Sequence, residues 1–195
     1  MENNSLIKKL YIKALLPNIL LVLGGTVNVF FDGILVGQRL GDIGLDAVNQ
    51  CLPFYLVLCT IGSLIASGAM ALSAIAAGND DLFESKRTYA VGLFLSIVLS
   101  VGVCGLAYIF LGPICNLLSN PSTYQYVYEY LRITIIFGLC KVLQYNFVFY
   151  LRLEGKLKRS SFAMLLMTVL NIVLDYLFLF PLDMGIYGAA LASGI

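Results

Sequence analysis

Long stretches without a charged side chain constrain the fold of this chain more than any other feature. Residues 14–31, 47–79 and 88–128 contain no Asp, Glu, Lys or Arg. An α-helix needs about 20 mostly apolar residues to cross a bilayer, where it satisfies its own backbone hydrogen bonds. Charged residues make up 12% of the chain, against about 25% in soluble domains. The sequence therefore predicts an all-α, polytopic membrane protein.

Turn signals divide the apolar stretches into separate spans. The stretch 88–128 is too long for one span, and Gly112-Pro113 and Asn120-Pro121 predict a turn within it. We predict about five complete transmembrane helices and the start of a sixth, at residues 14–38, 47–77, 89–115, 126–151, 162–180 and 185–195. Because the last of these stops in an apolar run, we expect residues 1–195 to be an incomplete N-terminal lobe of a longer protein.

The basic residues predict how the spans are oriented, because cytoplasmic loops are enriched in Lys and Arg. Most of them lie before span 1, between spans 2 and 3 and between spans 4 and 5, namely Lys8, Lys9, Lys13, Lys86, Arg87, Arg152, Lys156, Lys158 and Arg159. The alternate connections contain only Arg39. We therefore predict a multi-pass protein of the plasma membrane with a cytoplasmic N-terminus.

Two aspartates lie inside the apolar spans, Asp32 in span 1 and Asp175 in span 5. A carboxylate at the centre of a membrane helix costs roughly 2.5–3.5 kcal/mol on insertion scales, so such residues usually serve a site. Asn28 and Asn171 each precede an aspartate by four residues, which places each pair on one helix face. Because spans 1 and 5 run in the same direction, we expect both aspartates at a similar depth, lining one cavity.

Two chemistries fit this pair of aspartates. Burial and a like-charged neighbour favour the neutral form of a carboxyl group, so proton uptake could act as a switch. The oxygens of Asp32, Asp175 and Asn171 could instead coordinate Na⁺, and the sequence does not choose between the two ions. A structural ion pair, or a side chain that reaches the membrane surface, is the alternative.

Other kinds of site find little support in the composition. The chain has no histidine, and its five cysteines contain no C-x-x-C pair, so we expect no metal centre and no cofactor. The net charge of +1 gives no basic surface for nucleic acid. Two membrane aspartates would suit an intramembrane protease, but the usual Y-D and G-x-G-D motifs are absent around Asp32 and Asp175. We therefore expect a protein that is not an enzyme.

Span 4 contains a polar segment that could line the same cavity. It comprises Lys141, Gln144, Tyr145 and Asn146. Lys141 could instead extend to the cytoplasmic interface, about ten residues away along the helix. In span 1, Gly24-Gly25 predicts either a bend below Asp32 or close packing of two helices.

Several ordered motifs resemble the multidrug and toxic compound extrusion (MATE) family of transporters. Segment 32–41, DGILVGQRLG, resembles the first-helix signature of that family. Segments 76–80 (AAGND) and 151–156 (LRLEGK) resemble its turns after helices 2 and 4. Segments 171–175 (NIVLD) and 184–192 (MGIYGAALA) resemble helix 5 and the start of helix 6. The resemblance covers nearly the whole chain in the family's order.

The resemblance implies the N-lobe of a 12-helix antiporter that exports organic, often cationic, drug-like compounds in exchange for H⁺ or Na⁺. It implies a coupling site at Asp32, Asn171 and Asp175, completed by a helix 6 hydroxyl at Ser193, to which the repeated Asn-x-x-x-Asp pattern adds Asn28. The missing C-terminal lobe would be needed for transport. A lipid-linked oligosaccharide or polysaccharide flippase of the same superfamily and a non-transporting membrane fragment remain the alternatives.

Overall fold

The structure is a computed structural model that describes the backbone of residues 2–194. It describes the side chains of residues 23–194 and those of Ile12, Leu15 and Ile19. Seven helices follow one another along this part of the chain: α1 (Glu2–Gly78), α2 (Leu82–Ile109), α3 (Leu111–Leu118), α4 (Tyr124–Ile136), α5 (Gly138–Leu153), α6 (Leu157–Leu179) and α7 (Gly185–Gly194). The described residues form no β-strand, which confirms the all-α prediction.

The first helix, α1, is folded into two antiparallel arms at Gly41. Gly41 is the one described residue inside α1 with a non-helical backbone, at φ 66° and ψ −164°. A Cβ placed on Gly33 would lie 3.8 Å from Leu45 Cδ1. In a straight helix, two residues 12 positions apart are separated by a rise of about 18 Å. Residues 2–40 and 42–78, here called the first and second arms of α1, therefore lie side by side.

The connection between the two arms is shorter than the sequence predicted. The predicted spans left residues 39–46 as a loop, but residues 42–46 are helical and the direction of the chain reverses at one glycine. The φ and ψ of Gly41 lie in a region that is open essentially to glycine alone. A single glycine therefore reverses the chain direction where the sequence predicted a loop of several residues.

The third predicted span is divided between α2 and α3. Helix α2 ends at Ile109 and α3 begins at Leu111, so the break falls at Phe110. Gly112 and Pro113 do not form the predicted turn, because they lie in the first turn of α3, where a proline removes no helical hydrogen bond. The chain leaves α3 at Ser119 and continues through Pro121 to α4, as the Asn-Pro signal predicted.

The fourth predicted span is a bent pair of helices. Helices α4 and α5 meet at Phe137 at an angle of 49°. The next residue, Gly138, packs so closely that an added Cβ would lie 2.5 Å from Cys104 Sγ and 3.1 Å from Leu58 Cδ1. The described helices that are long and apolar enough to cross a membrane are α1 from Leu23, α2 and α6, with this bent pair as a fourth. The fold at Gly41 divides α1 into two arms, and the 10 residues of α7 cover the start of the predicted sixth span.

Helix α2 packs mainly through small residues and turns large apolar ones outward. Its buried residues include Gly92, Ser96, Ser100 and Cys104, with Tyr89 as the one large member. Exposed large side chains occupy the opposite side, among them Val91, Phe94, Leu95, Val98, Leu99 and Leu106. This arrangement is typical of helices surrounded by lipid, because contact between an apolar side chain and the hydrocarbon chains costs no free energy.

Two sets of contacts define the two ends of the bundle. At one end, Ala77, Lys86 and Leu153 line a common groove, which brings the α1–α2 and α5–α6 connections together. At the other end, Arg39 Nη2 donates to Asp183 Oδ1 at 2.6 Å and Arg39 Nε donates to the Leu179 carbonyl oxygen at 3.1 Å. The first end, with Lys86, Arg87, Arg152, Lys156, Lys158 and Arg159 in or beside its connections, is called the basic end below.

Candidate functional site

The structure brings Asp32 and Asp175 together from two different helices. Asp32 lies on the first arm of α1 and Asp175 on α6, and the two carboxyl groups lie near each other. Asp175 is fully buried at 0% exposure. Neither of its oxygens has a hydrogen-bond partner, and Asp32 Oδ1 is also buried without one. The pair is therefore an acidic site inside the membrane part of the chain.

None of the described residues neutralises this acidic pair. The three ion pairs formed by the described residues are Arg39–Asp183, Arg87–Glu84 and Lys156–Glu154. An unsatisfied buried polar atom costs about 1–3 kcal/mol, and a charged one costs more. The structure thus offers no ion-pair partner for either aspartate, and a fully buried Asp175 does not reach the membrane surface. A proton or a small cation is the kind of group that would balance these oxygens.

The two asparagines add further acceptor oxygens. Asn171 Nδ2 donates to the Ala192 carbonyl oxygen at 2.8 Å, which holds the side chain and leaves its Oδ1 buried without a donor. Asn28 Oδ1 is likewise buried without a donor. Each of these oxygens lies one helical turn from an aspartate of the same helix. The buried unpartnered atoms of these four residues are all oxygens. Hard cations such as Na⁺ prefer oxygen ligands of this kind.

Ser193 joins the site through a residue that the sequence did not single out. The hydroxyl of Tyr130 donates to Ser193 Oγ at 3.5 Å, and the Tyr130 side chain is 5% exposed. Tyr130 also lies near Asp32 and Asp175. It shares a helix face with Val127 and Leu131, which are both fully buried. That spacing could have separated Tyr130 from the neighbouring interfacial tyrosines.

The four polar residues predicted on span 4 point in three directions. Lys141 Nζ lies 4.9 Å from the centroid of the Tyr55 ring on α1. Tyr145 lies beside Cys59, also on α1. Gln144 Nε2 contacts Met164 Sδ on α6 at 3.8 Å. None of these contacts reaches Asp32 or Asp175.

Asn146 packs against α2 and does not line a cavity. It is 0% exposed, its Nδ2 donates to the Val142 carbonyl oxygen at 3.1 Å, and its Oδ1 accepts a hydrogen bond from Ser96 at 3.3 Å. The Tyr89 hydroxyl donates to its backbone carbonyl. The sequence analysis grouped Asn146 with Gln144 and Tyr145 as cavity-lining residues. Adjacent side chains of a helix point about 100° apart, so the amide of Asn146 lies in the contact between α2 and α5.

Gly24 and Gly25 are helical in this structure, so the predicted bend is absent from it. A Cβ on Gly24 would lie 3.5 Å from Thr168 Oγ1 and 3.7 Å from a Leu165 methyl group. Thr168 Oγ1 also donates to the Gly24 carbonyl oxygen at 3.4 Å. Gly24 therefore allows close packing of two helices, which was the other prediction for this segment. The two helices are those that contain Asp32 and Asp175.

A groove of about 480 Å³ lies at the basic end of the bundle, apart from the aspartates. Its walls are mostly apolar, with Lys86 and Glu154 among its lining residues. It contains none of the unpartnered buried oxygens, whereas Asp32 and Asp175 supply three of them. A site for ion exchange is therefore expected at the aspartates and not in this groove.

Comparisons with known proteins agree on one family. Residues 17–177 match the family model MatE. The multidrug export protein MepA of Staphylococcus haemolyticus strain JCSC1435 is 26% identical over 182 residues, which are 93% of this chain and 39% of MepA. This chain thus spans about two-fifths of the length of that relative.

Solved transporters share the fold. A MATE protein in the bent conformation superposes with a TM-score of 0.87 and 26% identity, over 96% of this chain and 42% of the other. A multidrug resistance MATE family transporter of the MOP superfamily, in an outward-facing conformation, gives a TM-score of 0.84 at 26% identity, over 93% of this chain and 41% of the other. The match in sequence and the match in fold lead to the same conclusion: the chain belongs to the MatE family.

Proposed function

We propose that this chain is the ion-coupling lobe of a secondary active multidrug exporter that moves organic, often cationic, compounds out of the cell in exchange for H⁺ or Na⁺. The observation that carries the proposal is the pair Asp32 and Asp175, of which three carboxylate oxygens are buried and which has no counter-ion among the described residues. The names of the relatives, a multidrug export protein and a multidrug resistance transporter, support the export of drug-like molecules.

In this proposal, the coupling ion and the cationic substrate compete for the negatively charged aspartates. A proton or Na⁺ bound at Asp32, Asp175 and Asn171 removes the cost of two adjacent buried charges and lets α1 and α6 pack more closely. An organic cation bound to the ionised pair favours the more open packing. Because ion and substrate favour different states, uptake of one promotes release of the other, in an alternating-access cycle.

The first arm of α1 is the element that would move against α6. It contacts α6 at Gly24 and Thr168, and it is joined to the second arm only through Gly41. Repacking at Gly24-Gly25 would change the distance between the aspartates without unfolding a helix. Asn28, Asn171 and Ser193 hold or complete the site, with Tyr130 as an added hydroxyl.

The proposal implies no cofactor and no catalysed reaction. It implies a multi-pass protein of the plasma membrane with its basic end, and hence its N-terminus, in the cytoplasm. It also implies a second transmembrane lobe as partner, since the chain spans about two-fifths of the length of its relatives.

An oligosaccharide or polysaccharide flippase of the same superfamily is the second candidate. Such a protein needs cations for lipid-linked phosphate groups, and Lys141 is the one basic residue of the described spans that lies well away from their ends. The two unpaired aspartates favour a cationic cargo over an anionic one. We therefore rank the exporter first.

Efflux of rhodamine 123 from cells expressing the complete reading frame tests the proposal. Wild type is compared with Asp32→Asn and Asp175→Asn at matched expression. The control is Asp80→Asn, because Asp80 is an exposed turn residue with φ 62° that asparagine also tolerates. We expect efflux to fall at least about tenfold in the first two variants and to persist in the control. Unchanged efflux in both would overturn the assignment, and no efflux by wild type would favour a non-transporting chain.

A further inference from the structure

The groove at the basic end of the bundle lies between α2 and α5, with Ala77 of α1 also in its lining. Its α2 wall lies within residues 82–93 and its α5 wall within residues 147–153, and Glu154 follows directly after α5. The volume of about 480 Å³ is within the range of about 300–1,000 Å³ that small-molecule sites occupy. The ion coupling proposed above does not use this groove.

The groove is charged at its mouth and apolar farther in. Lys86 lies near the start of α2 and Glu154 directly after the end of α5, so both charged residues lie at the basic end. Leu93 and Phe147 each lie seven residues from one of them, toward the middle of the bundle, which is a rise of about 10 Å along a helix. This order of charged and apolar groups matches a phospholipid, whose headgroup lies at the membrane surface and whose acyl chains lie below it.

Lys86 provides the charge in this groove that is free to bind a ligand. Glu154, the other charged lining residue, is paired with Lys156. The neighbouring Arg87 is paired with Glu84. Lys86 is exposed and belongs to none of the three ion pairs that the described residues form. The groove therefore presents an unpaired ammonium group at its mouth, which favours an anionic headgroup.

The walls of the groove present apolar surface on the outside of the bundle. Leu82, Phe147 and Tyr150 line the groove and are exposed large side chains. The rings of Tyr89 and Tyr150, with centroids 5.1 Å apart, join the two walls. The Tyr89 hydroxyl donates to the backbone carbonyl of Asn146, which holds α2 against α5 at this level. The groove is therefore formed by contacts within the chain, and its exposed apolar walls suit an acyl chain.

We propose that this groove binds one anionic phospholipid from the leaflet at the basic end, with an acyl chain along the apolar walls and the headgroup phosphate at Lys86. Charge complementarity selects the headgroup, since basic pockets between transmembrane helices on the cytoplasmic side are typical sites for anionic lipids. The lipid contacts α2 and α5 together and lies apart from Asp32 and Asp175. The inference therefore does not depend on the proposed export function.

Native mass spectrometry of the purified product of the complete reading frame tests the site. The protein in detergent is titrated separately with palmitoyl-oleoyl phosphatidylglycerol, which is anionic, and with the phosphatidylcholine of the same acyl chains, which is zwitterionic. Lys86→Met removes the charge at the mouth, and Ala90→Phe fills the groove. The matched controls are Lys158→Met, at another exposed basic residue of the same end, and Val101→Phe, at an exposed position of α2 outside the groove.

We expect Lys86→Met to weaken phosphatidylglycerol binding by about fivefold and phosphatidylcholine binding by less than about twofold. Ala90→Phe should weaken the binding of both lipids, because the added ring takes the space of the acyl chain. Each control should change the affinity for either lipid by less than about twofold. Because Lys86 is exposed, its variant decides the test even if Ala90→Phe does not fold.

Three results would overturn the lipid site. Equal losses of phosphatidylglycerol binding in Lys86→Met and Lys158→Met would show a general attraction of anionic lipid to the basic end. Unchanged binding in Lys86→Met, or in a folded Ala90→Phe, would place the lipid outside the groove. Equal affinity of the wild type for both lipids would remove the selection of an anionic headgroup.

Discussion

A carboxylate buried without a partner destabilises the protein that contains it, and Asp175 is such a group. Both of its oxygens lack hydrogen-bond partners, and the residue is 0% exposed. Residues that serve a site are often tolerated at a cost to stability. The cost at Asp175 can therefore be measured separately from its role in transport.

Replacing Asp175 with leucine should stabilise the fold while it abolishes coupled export. Leucine has the same branched shape, with methyl groups in place of the two unsatisfied oxygens, so we expect the free energy of unfolding to rise by about 1–3 kcal/mol. Thermal unfolding of the purified protein in detergent measures the change. Asp46→Leu, at an exposed helical position of α1, is the control and should bring no such gain. A large loss of stability in Asp175→Leu would mean that the carboxylate has a structural partner.

Site residues could be predicted from the sequence where a charged residue lies within an apolar stretch. Asp32 and Asp175 could be selected because each is a charge within an apolar stretch. Tyr130 could not be selected by type, because Tyr124, Tyr126 and Tyr128 precede it, and only its helical spacing from Val127 and Leu131 could have separated it from them. Asn146 was grouped with Lys141 by proximity in sequence, although a helix points adjacent side chains in different directions.

At the level of elements, the reversal between the two arms of α1 depends on one glycine. Gly41→Ala forces a Cβ into the backbone conformation φ 66°, ψ −164°, which should lower the free energy of unfolding by about 1–3 kcal/mol. Gly102→Ala is the control, because Gly102 is helical and has no atom within 4 Å of an added Cβ. We expect the control to unfold at an equal or slightly higher temperature. Equal behaviour of the two variants would contradict the account of the reversal.

Helix α2 approaches α1 so closely at one point that only glycine fits. A Cβ on Gly92 would lie 2.4 Å from the Cβ of Ala69. Gly92→Ala should therefore separate the two helices and destabilise the protein by about 1–3 kcal/mol, seen as a lower midpoint of thermal unfolding. Gly105→Ala on the same helix has open space and is the matched control. No difference between the two would show that α1 and α2 can move apart at little cost.

The existence of the helices could be predicted from the sequence better than their breaks. The length of each apolar stretch was enough to indicate a span, since a helix satisfies its own backbone hydrogen bonds within the bilayer. The break at Phe110 has no glycine or proline of its own, and the bend at Phe137 allows Gly138 to pack against Cys104 and Leu58. Such breaks depend on contacts between distant segments, which a local sequence pattern does not contain.

For the whole molecule, the distribution of basic residues leads to a prediction about orientation. The α1–α2 and α5–α6 connections share one end of the bundle, whereas the α1 reversal and the α6–α7 connection share the other. We expect the basic end to face the cytoplasm. In a Cys140→Ala background, a membrane-impermeant maleimide should label Ser122→Cys in intact cells and label Lys158→Cys only after permeabilisation. The reverse pattern would invert the topology and place the proposed ion pathway in the opposite direction.

A double-mutant cycle on the acidic pair tests the central claim most directly. Uptake of rhodamine 123 into everted membrane vesicles corresponds to efflux from cells. It is measured under an imposed H⁺ gradient and separately under an imposed Na⁺ gradient. The proteins are wild type, Asp32→Asn, Asp175→Asn and the double variant. If the two aspartates form one coupling site, each single variant should lose as much ion-driven efflux as the double variant, because residues that act as a unit are not additive. Losses that add up, or efflux that persists in either single variant, would contradict a shared site.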